Sequence, residues 1–544
     1  MSSERAPEGA GSSGVSAPEI AGATPMSDPV GPGEAAPEAA APGEGTALHR
    51  GMTQRHLLMI SLGGVVGTGL FLSSGYTISQ AGPAGTILAY GVGAVLVYLV
   101  MMCLGELSTA MPWTGSFHVY ATRFLGPGTG FTVAVLYWLT WTVALGSEFT
   151  ASGLIMQRWL PQVPVWVFSA ASILLIAGIN LCSVRIFGRT ESWLAGVKVV
   201  AIVAFILLGA AAMVGLLPLH DGSAAPFFSE LTADGWFPHG LPIVFTTMLA
   251  VNFAYSGTEL IGVTAGEAQN PRQAVRRAIR AALWRLVVFF LGAITVIAAL
   301  IPYREAGVVE SPFVTVLQRI GVPYAADVMN LVILTAILSA ANSGLYASTR
   351  MLWSLAQQGM VPRFLGVTTG RGVPVRATLV SLVGGLLALL SSVLAPGSVY
   401  LVLVSISGLA VMLVWVAICA CQLVFRRRYL AAGGRLEDLP YRTPGYPVVP
   451  VLALVLTAAS CVLIVLDPEQ RPALFWTVPF VAICYLTWFL VGRARRRAEA
   501  GSGEAGEAAV GGPAPSAPGL TPLPALAGPR RRPSPGPRRP ASGP

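Results

Sequence analysis

The chain has 544 residues, of which 54% are hydrophobic and only 11% charged, with a formal net charge of +9. Soluble globular chains carry about a quarter charged residues, so the composition excludes an ordinary cytosolic enzyme. A mean hydropathy of +0.67 points the same way.

Residues 1–47 are rich in Ala, Gly, Pro and Ser, with seven acidic residues and one Arg. They read as a disordered tail without a cleavable signal peptide. Beyond them, ten long runs lack Asp, Glu, Lys and Arg. Two, 56–105 and 377–425, are about double length; the others are 124–147, 159–184, 199–220, 235–258, 286–303, 328–349, 443–466 and 472–492. A membrane-spanning helix needs roughly 20 apolar residues to cross a hydrocarbon core of about 30 Å. Each double run therefore holds two spans, separated at Ala81-Gly82-Pro83-Ala84-Gly85 and at Ala395-Pro396-Gly397. Strands of a membrane barrel would alternate in hydropathy, and these runs do not. The expected fold is all-α and polytopic, with 12 transmembrane helices over residues 48–495. Residues 496–544 are Pro-, Gly- and Ala-rich and read as a second disordered tail.

With both termini placed in the cytoplasm, inside segments hold 29 of the 33 Arg and outside segments hold Arg158, Arg304, Arg319 and Arg471. That is the positive-inside asymmetry of a multi-pass protein of the cell membrane. The basic charge is thus a topology signal, and nucleic acid is not an expected partner. The six cysteines all sit in apolar runs and read as small apolar residues. The five histidines are scattered and form no metal or catalytic constellation. No cofactor is expected, and no G-x-x-x-x-G-K-[ST] motif is present to bind a nucleotide.

Span 1 contains Gly63-Gly64-Val65-Val66-Gly67-Thr68-Gly69, and span 6 contains Tyr255-Ser256-Gly257-Thr258-Glu259. In lipid, an interrupted helix is costly unless it lines a cavity. Glycine breaks at matching positions of two successive sets of five spans point to a binding site between inverted repeats. Freed N–H groups at such a break suit a carboxylate, and freed carbonyls suit an ammonium. Close helix packing through small residues is the alternative use of such glycines.

Several motifs resemble the amino-acid transporter family of the amino acid–polyamine–organocation superfamily. They are Gly67-Thr68-Gly69-Leu70-Phe71, Gly105-Glu106-Leu107 with Met111-Pro112, Gly257-Thr258-Glu259-Leu260-Ile261, and Ser339-Ala340-Ala341-Asn342-Ser343-Gly344-Leu345-Tyr346. The resemblance covers roughly residues 48–495. It implies a leucine-transporter-like fold, a 5+5 inverted repeat plus two helices, importing amino acids with protons. Within the family, Glu259 with Glu267, Ser311-Pro312-Phe313 and Leu439-Pro440-Tyr441-Arg442 look most like lysine-specific permeases. Some of these features are shared with aromatic, proline and general permeases.

Ionisable residues inside spans are functional candidates because burying them is expensive. Lys198, the chain's single lysine, lies about two turns into span 5. An amine can release its proton where a guanidinium cannot. By similarity to proton-coupled relatives, its ammonium would tie carbonyls near the span 1 break. Glu259 could receive a basic side chain, relay a proton or stabilise the unwound backbone. Glu148, in mid-span 3, could face a cationic side chain, whereas Glu106 and Glu267 read as partners for cytoplasmic arginines. The expected substrate contacts are Val66, Gly67, Thr68, Gly69, Glu148, Tyr255, Ser256, Gly257, Glu259 and Asn342, with Lys198 and Glu259 for proton coupling. An exchanger of the same fold, or a transporter that also signals, would share these features. A membrane enzyme would need a His/Asp/Glu cluster that the sequence lacks.

Overall fold

The computed structural model describes residues 64–510 apart from 114, 183, 221, 223–224, 265–270, 308–309, 371, 387–395 and 469. The expected N-terminal tail, Gly63, Glu267 and the C-terminal tail beyond Val510 lie outside the described residues. By contact the chain divides at Trp488 into a large unit, residues 1–488, and a small one, 489–544, whose described part is helical.

Among the described residues all regular structure is helical. In chain order the elements are α1 (Thr68–Phe71), α2 (Ser73–Ala110), α3 (Phe117–Phe124), α4 (Pro127–Met156), α5 (Val165–Cys182) and α6 (Val184–Met213). Then follow α7 (Pro242–Thr246), α8 (Met248–Tyr255), α9 (Leu260–Thr264), α10 (Pro271–Leu300) and α11 (Pro312–Ile320). The last are α12 (Ala325–Gln357), α13 (Val375–Ser381), α14 (Pro396–Ala431), α15 (Val448–Leu463) and α16 (Pro472–Val510), which runs past residue 495. Among the described residues, eight helices are long and apolar enough to cross a membrane: α2, α4, α5, α6, α12, α14, α15 and α16. Val287–Leu300 and Val375–Leu386 are shorter apolar helices.

The break expected at 81–85 falls inside α2. Gly82 takes φ 72° and ψ 175°, a conformation open to a residue without Cβ, and Pro83 restarts the helix with its fixed φ. In the second expected double run, 377–425, α14 starts at Pro396. Burial sorts the spans. In α2, α4, α12 and α14 two-thirds of the apolar window is buried (67%), whereas in α5 the figure is 22% and in α16 it is 11%. The former make the core and the latter present apolar faces outward, as lipid contact requires.

Charge-free runs located α6 poorly. The run began at 199, but the helix begins at Val184, so its first half carries Glu191 and Lys198 as well as loop arginines. At the far end of α2, Glu106 is fully buried against Arg426 of α14, which pairs with it through both carboxylate oxygens. Gln422 Nε2 (3.2 Å) and the Thr443 backbone N–H (2.7 Å) complete its acceptor set. A buried ion pair holds its place only when its remaining hydrogen-bonding capacity is met in this way. The pair fastens α2 to α14.

The connecting helix α3, which is not among the candidate spans, is docked by His118. Its ring is buried, Nε2 lies 2.8 Å from Ser354 Oγ at the end of α12, and Nδ1 meets no hydrogen-bond partner among the described residues. Burial pushes this imidazole from its ordinary 6.5 down to about 3.

Candidate binding site at two broken helices

Both glycine clusters interrupt helices. Residues 64–67 precede α1 as turns, and α8 stops at Tyr255 before a non-helical Ser256–Glu259. Gly257 has φ 98°, and a Cβ there would lie 2.7 Å from the Gly64 carbonyl oxygen. A Cβ on Gly69 would meet the Ala254 Cα at 2.5 Å. The two breaks therefore touch backbone to backbone, which glycine alone permits.

Freed backbone groups have found side-chain partners. In the second break Ser256 Oγ donates to the Phe253 carbonyl (2.7 Å) and Thr258 Oγ1 to the Tyr255 carbonyl (3.2 Å). In the first, Ser311 Oγ donates to the Phe71 carbonyl (2.7 Å) and Tyr400 Oη to that of Thr68 (3.3 Å). A small cavity lies where the breaks meet, lined by Gly67, Trp141, Glu148, Phe253, Ser256 and Ala340 among others.

Lys198 is 1% exposed, and its Nζ donates to the Val66 carbonyl at 2.8 Å. The side chain thus spans from α6 to the first break. Glu148, on α4, takes the next backbone group along. It accepts from the Thr68 N–H (3.3 and 3.4 Å to its two oxygens) and from Thr68 Oγ1 (3.0 Å). A carboxylate of the protein itself occupies the donors that the sequence reading reserved for a ligand carboxylate.

A second buried carboxylate attends Lys198. Glu191, two turns earlier on α6, is fully buried; it accepts from Ser339 Oγ (2.5 Å) and Asn342 Nδ2 (3.2 Å) of α12. Both Glu191 and Glu148 act electrostatically on the ammonium. Sequence reasoning missed Glu191 because it stood among loop arginines. The signal it carried was its spacing: i and i+7 share one helix face.

Glu259 is fully buried but turns back on its own break. Its oxygens accept from the Gly257 N–H (3.0 and 3.2 Å), Tyr137 Oη (3.0 Å) and Trp415 Nε1 (3.3 Å). Tyr255 donates its hydroxyl to the Tyr90 carbonyl (3.1 Å) and stacks on Phe290 at 4.7 Å, away from the cavity lining. Asn342 is engaged by Glu191 and by Asn180 Nδ2 (2.9 Å) and is likewise not among the lining residues. Of the expected contacts, the first break, Glu148, Ser256 and Gly257 come together. Tyr255 and Asn342 support the site from behind.

Comparison with known proteins identifies the family. Residues 56–500 match the family described as Amino acid permease. A putative histidine permease of Bacillus subtilis (strain 168) is 54% identical over 442 residues, covering 81% of this chain and 93% of that protein. The amino-acid permease RocC of the same organism is 50% identical, covering 81% and 94%. The lysine-specific permease LysP of Lactococcus lactis subsp. cremoris (strain MG1363) is 39% identical, covering 81% and 90%. The relatives are transporters rather than enzymes, and the apolar helices fit a multi-pass membrane protein. The chain belongs to the amino acid permease family.

Proposed function

We propose that this permease is a proton-coupled symporter that imports an L-amino acid with a basic side chain across the plasma membrane. It does so through twelve spans arranged as a 5+5 inverted repeat plus two, with both termini in the cytoplasm. The observation that carries the reading is the trio at the first break: Lys198 on the Val66 carbonyl, Glu148 on Thr68, and the break of span 6 in contact alongside. The substrate's carboxylate takes the Thr68 donors that Glu148 now holds, while Gly67 and Gly69 let it approach the backbone. Glu148, released, faces the substrate's cationic groups from within the same cavity. Val66 is the carbonyl through which Lys198 senses the break, and losing the Lys198 proton frees that tether. Ser256 and Gly257 shape the opposite wall, and Glu259 holds the second break in its unwound form.

The names of the relatives favour histidine and lysine as substrates. A charge moved through about 150 mV gains about 3.5 kcal/mol, enough for accumulation of two to three orders of magnitude. An exchanger is the second reading, since the pocket chemistry is the same. The deciding experiment reconstitutes the protein in liposomes with potential clamped at zero and an inward pH gradient imposed. Labelled L-histidine, L-lysine and L-arginine are offered in turn. Accumulation above the outside concentration supports symport. Uptake only against preloaded amino acid assigns exchange.

A further inference from the structure

Lys198 has two anions and they are differently placed. Glu148 lines the cavity and holds Thr68, so an arriving substrate carboxylate must displace it. Glu191 does not line the cavity; Ser339 and Asn342 fix it to α12. Asn342 is itself oriented, because Asn180 Nδ2 donates to its Oδ1 at 2.9 Å and leaves its amide nitrogen for Glu191. Both carboxylates act electrostatically on Lys198, and the Tyr400 hydroxyl faces Glu148.

We propose that Glu191 is a positioning residue for proton coupling: an anion anchored on α12 that keeps the Lys198 site protonatable while Glu148 changes partners. This rests on the symport reading above. When substrate takes Thr68, the anion on the cavity side of Lys198 is exchanged, but Glu191 stays. Lys198 can then hold or release its proton according to which side of the membrane it faces rather than according to the substrate alone. Glu191 also fastens α6 to α12 two turns, about 10 Å, from where Lys198 fastens it to the first break. Proton release at Lys198 thus loosens one tether and not the other.

The test uses the full-length protein in liposomes with potential clamped, comparing wild type, Glu191→Gln and Glu191→Asp. Two readouts are taken for labelled L-histidine, L-lysine and L-arginine: exchange against preloaded amino acid, and accumulation driven by an inward pH gradient. The expected result is that Glu191→Gln keeps exchange and loses pH-driven accumulation. Wild-type accumulation in Glu191→Gln overturns the proposal. If Glu191→Gln loses exchange too, the pH profile of exchange in Glu191→Asp decides. A profile shifted from wild type supports an electrostatic role, and an unshifted one assigns Glu191 to structure alone. If wild type exchanges but never responds to the pH gradient, the symport reading fails first, independently of Glu191.

Discussion

Gly257→Ala tests the contact between the two breaks more directly than any charge change. The added methyl meets two penalties. At φ 98° an L-residue is strained by about 1–2 kcal/mol. In addition, its Cβ would lie 2.7 Å from the Gly64 oxygen and 3.0 Å from the Gly64 carbonyl carbon, both of them backbone atoms with no rotamer to yield. Overpacking of that kind costs about 1–3 kcal/mol, giving a total of about 2–5 kcal/mol. Part of this is relieved by pushing span 1 away from span 6, which widens the cavity and misplaces Thr68. The expected outcome is a lower melting temperature in detergent and at least about a tenfold loss of substrate affinity, equivalent to about 1.4 kcal/mol of the strain. Gly91→Ala and Gly196→Ala are the controls. No atom lies within 4 Å of a Cβ at either, so the stability gain of Ala in a helix, about 0.5–1 kcal/mol, should dominate. If Gly257→Ala melts and transports like these controls, the breaks do not touch and the site as described is wrong.

The remaining predictions concern charges. Lys198→Met keeps the buried stem but removes the donor to Val66; stability should drop by about 1–3 kcal/mol and pH-driven accumulation should vanish, whereas intact pH coupling in liposomes would reduce Lys198 to packing. Glu148→Gln should impair uptake of cationic amino acids more than of neutral ones, and an equal loss across a twenty-amino-acid competition series would remove the case for a basic substrate. Glu106→Gln strands Arg426 in a buried site and should cost about 3–5 kcal/mol in thermal stability, with Glu106→Gln/Arg426→Met recovering most of it. His118 is neutral when docked and binds a proton readily once exposed. The stability its burial confers is therefore full above pH 6.5 and is lost as pH falls toward 3, by about 1.4 kcal/mol per unit. A melting curve that steepens below pH 6.5 in wild type and flattens in His118→Gln is expected; parallel curves would contradict the buried neutral imidazole.

Glycine made both breaks legible in the sequence, because a cluster of residues without Cβ inside an apolar run has few other uses. Proline did the same for Gly82-Pro83. Lys198 was legible by its rarity and its depth. What stayed hidden depended on side-chain direction. Tyr255 and Asn342 lie one and two residues from the cavity-lining Ser256 and Ala340, but their polar atoms point to Tyr90 and Glu191. Nothing in a linear spacing says which way a chain turns at a break. Glu191 was hidden for a different reason. Span ends were set where charges begin, and that criterion discards any carboxylate that a helix carries into the membrane already paired.

The scarcity of lysine has a practical consequence. Every other basic side chain is arginine, so Lys198 Nζ is the sole side-chain amine in the chain, and it is 1% exposed in this arrangement. An amine-directed reagent such as formaldehyde with a hydride donor can mark the side chains at one position only, and only while water reaches it. Isotope-labelled methyl groups introduced there would report, as one resolved signal, how often the centre of the permease opens and to which face.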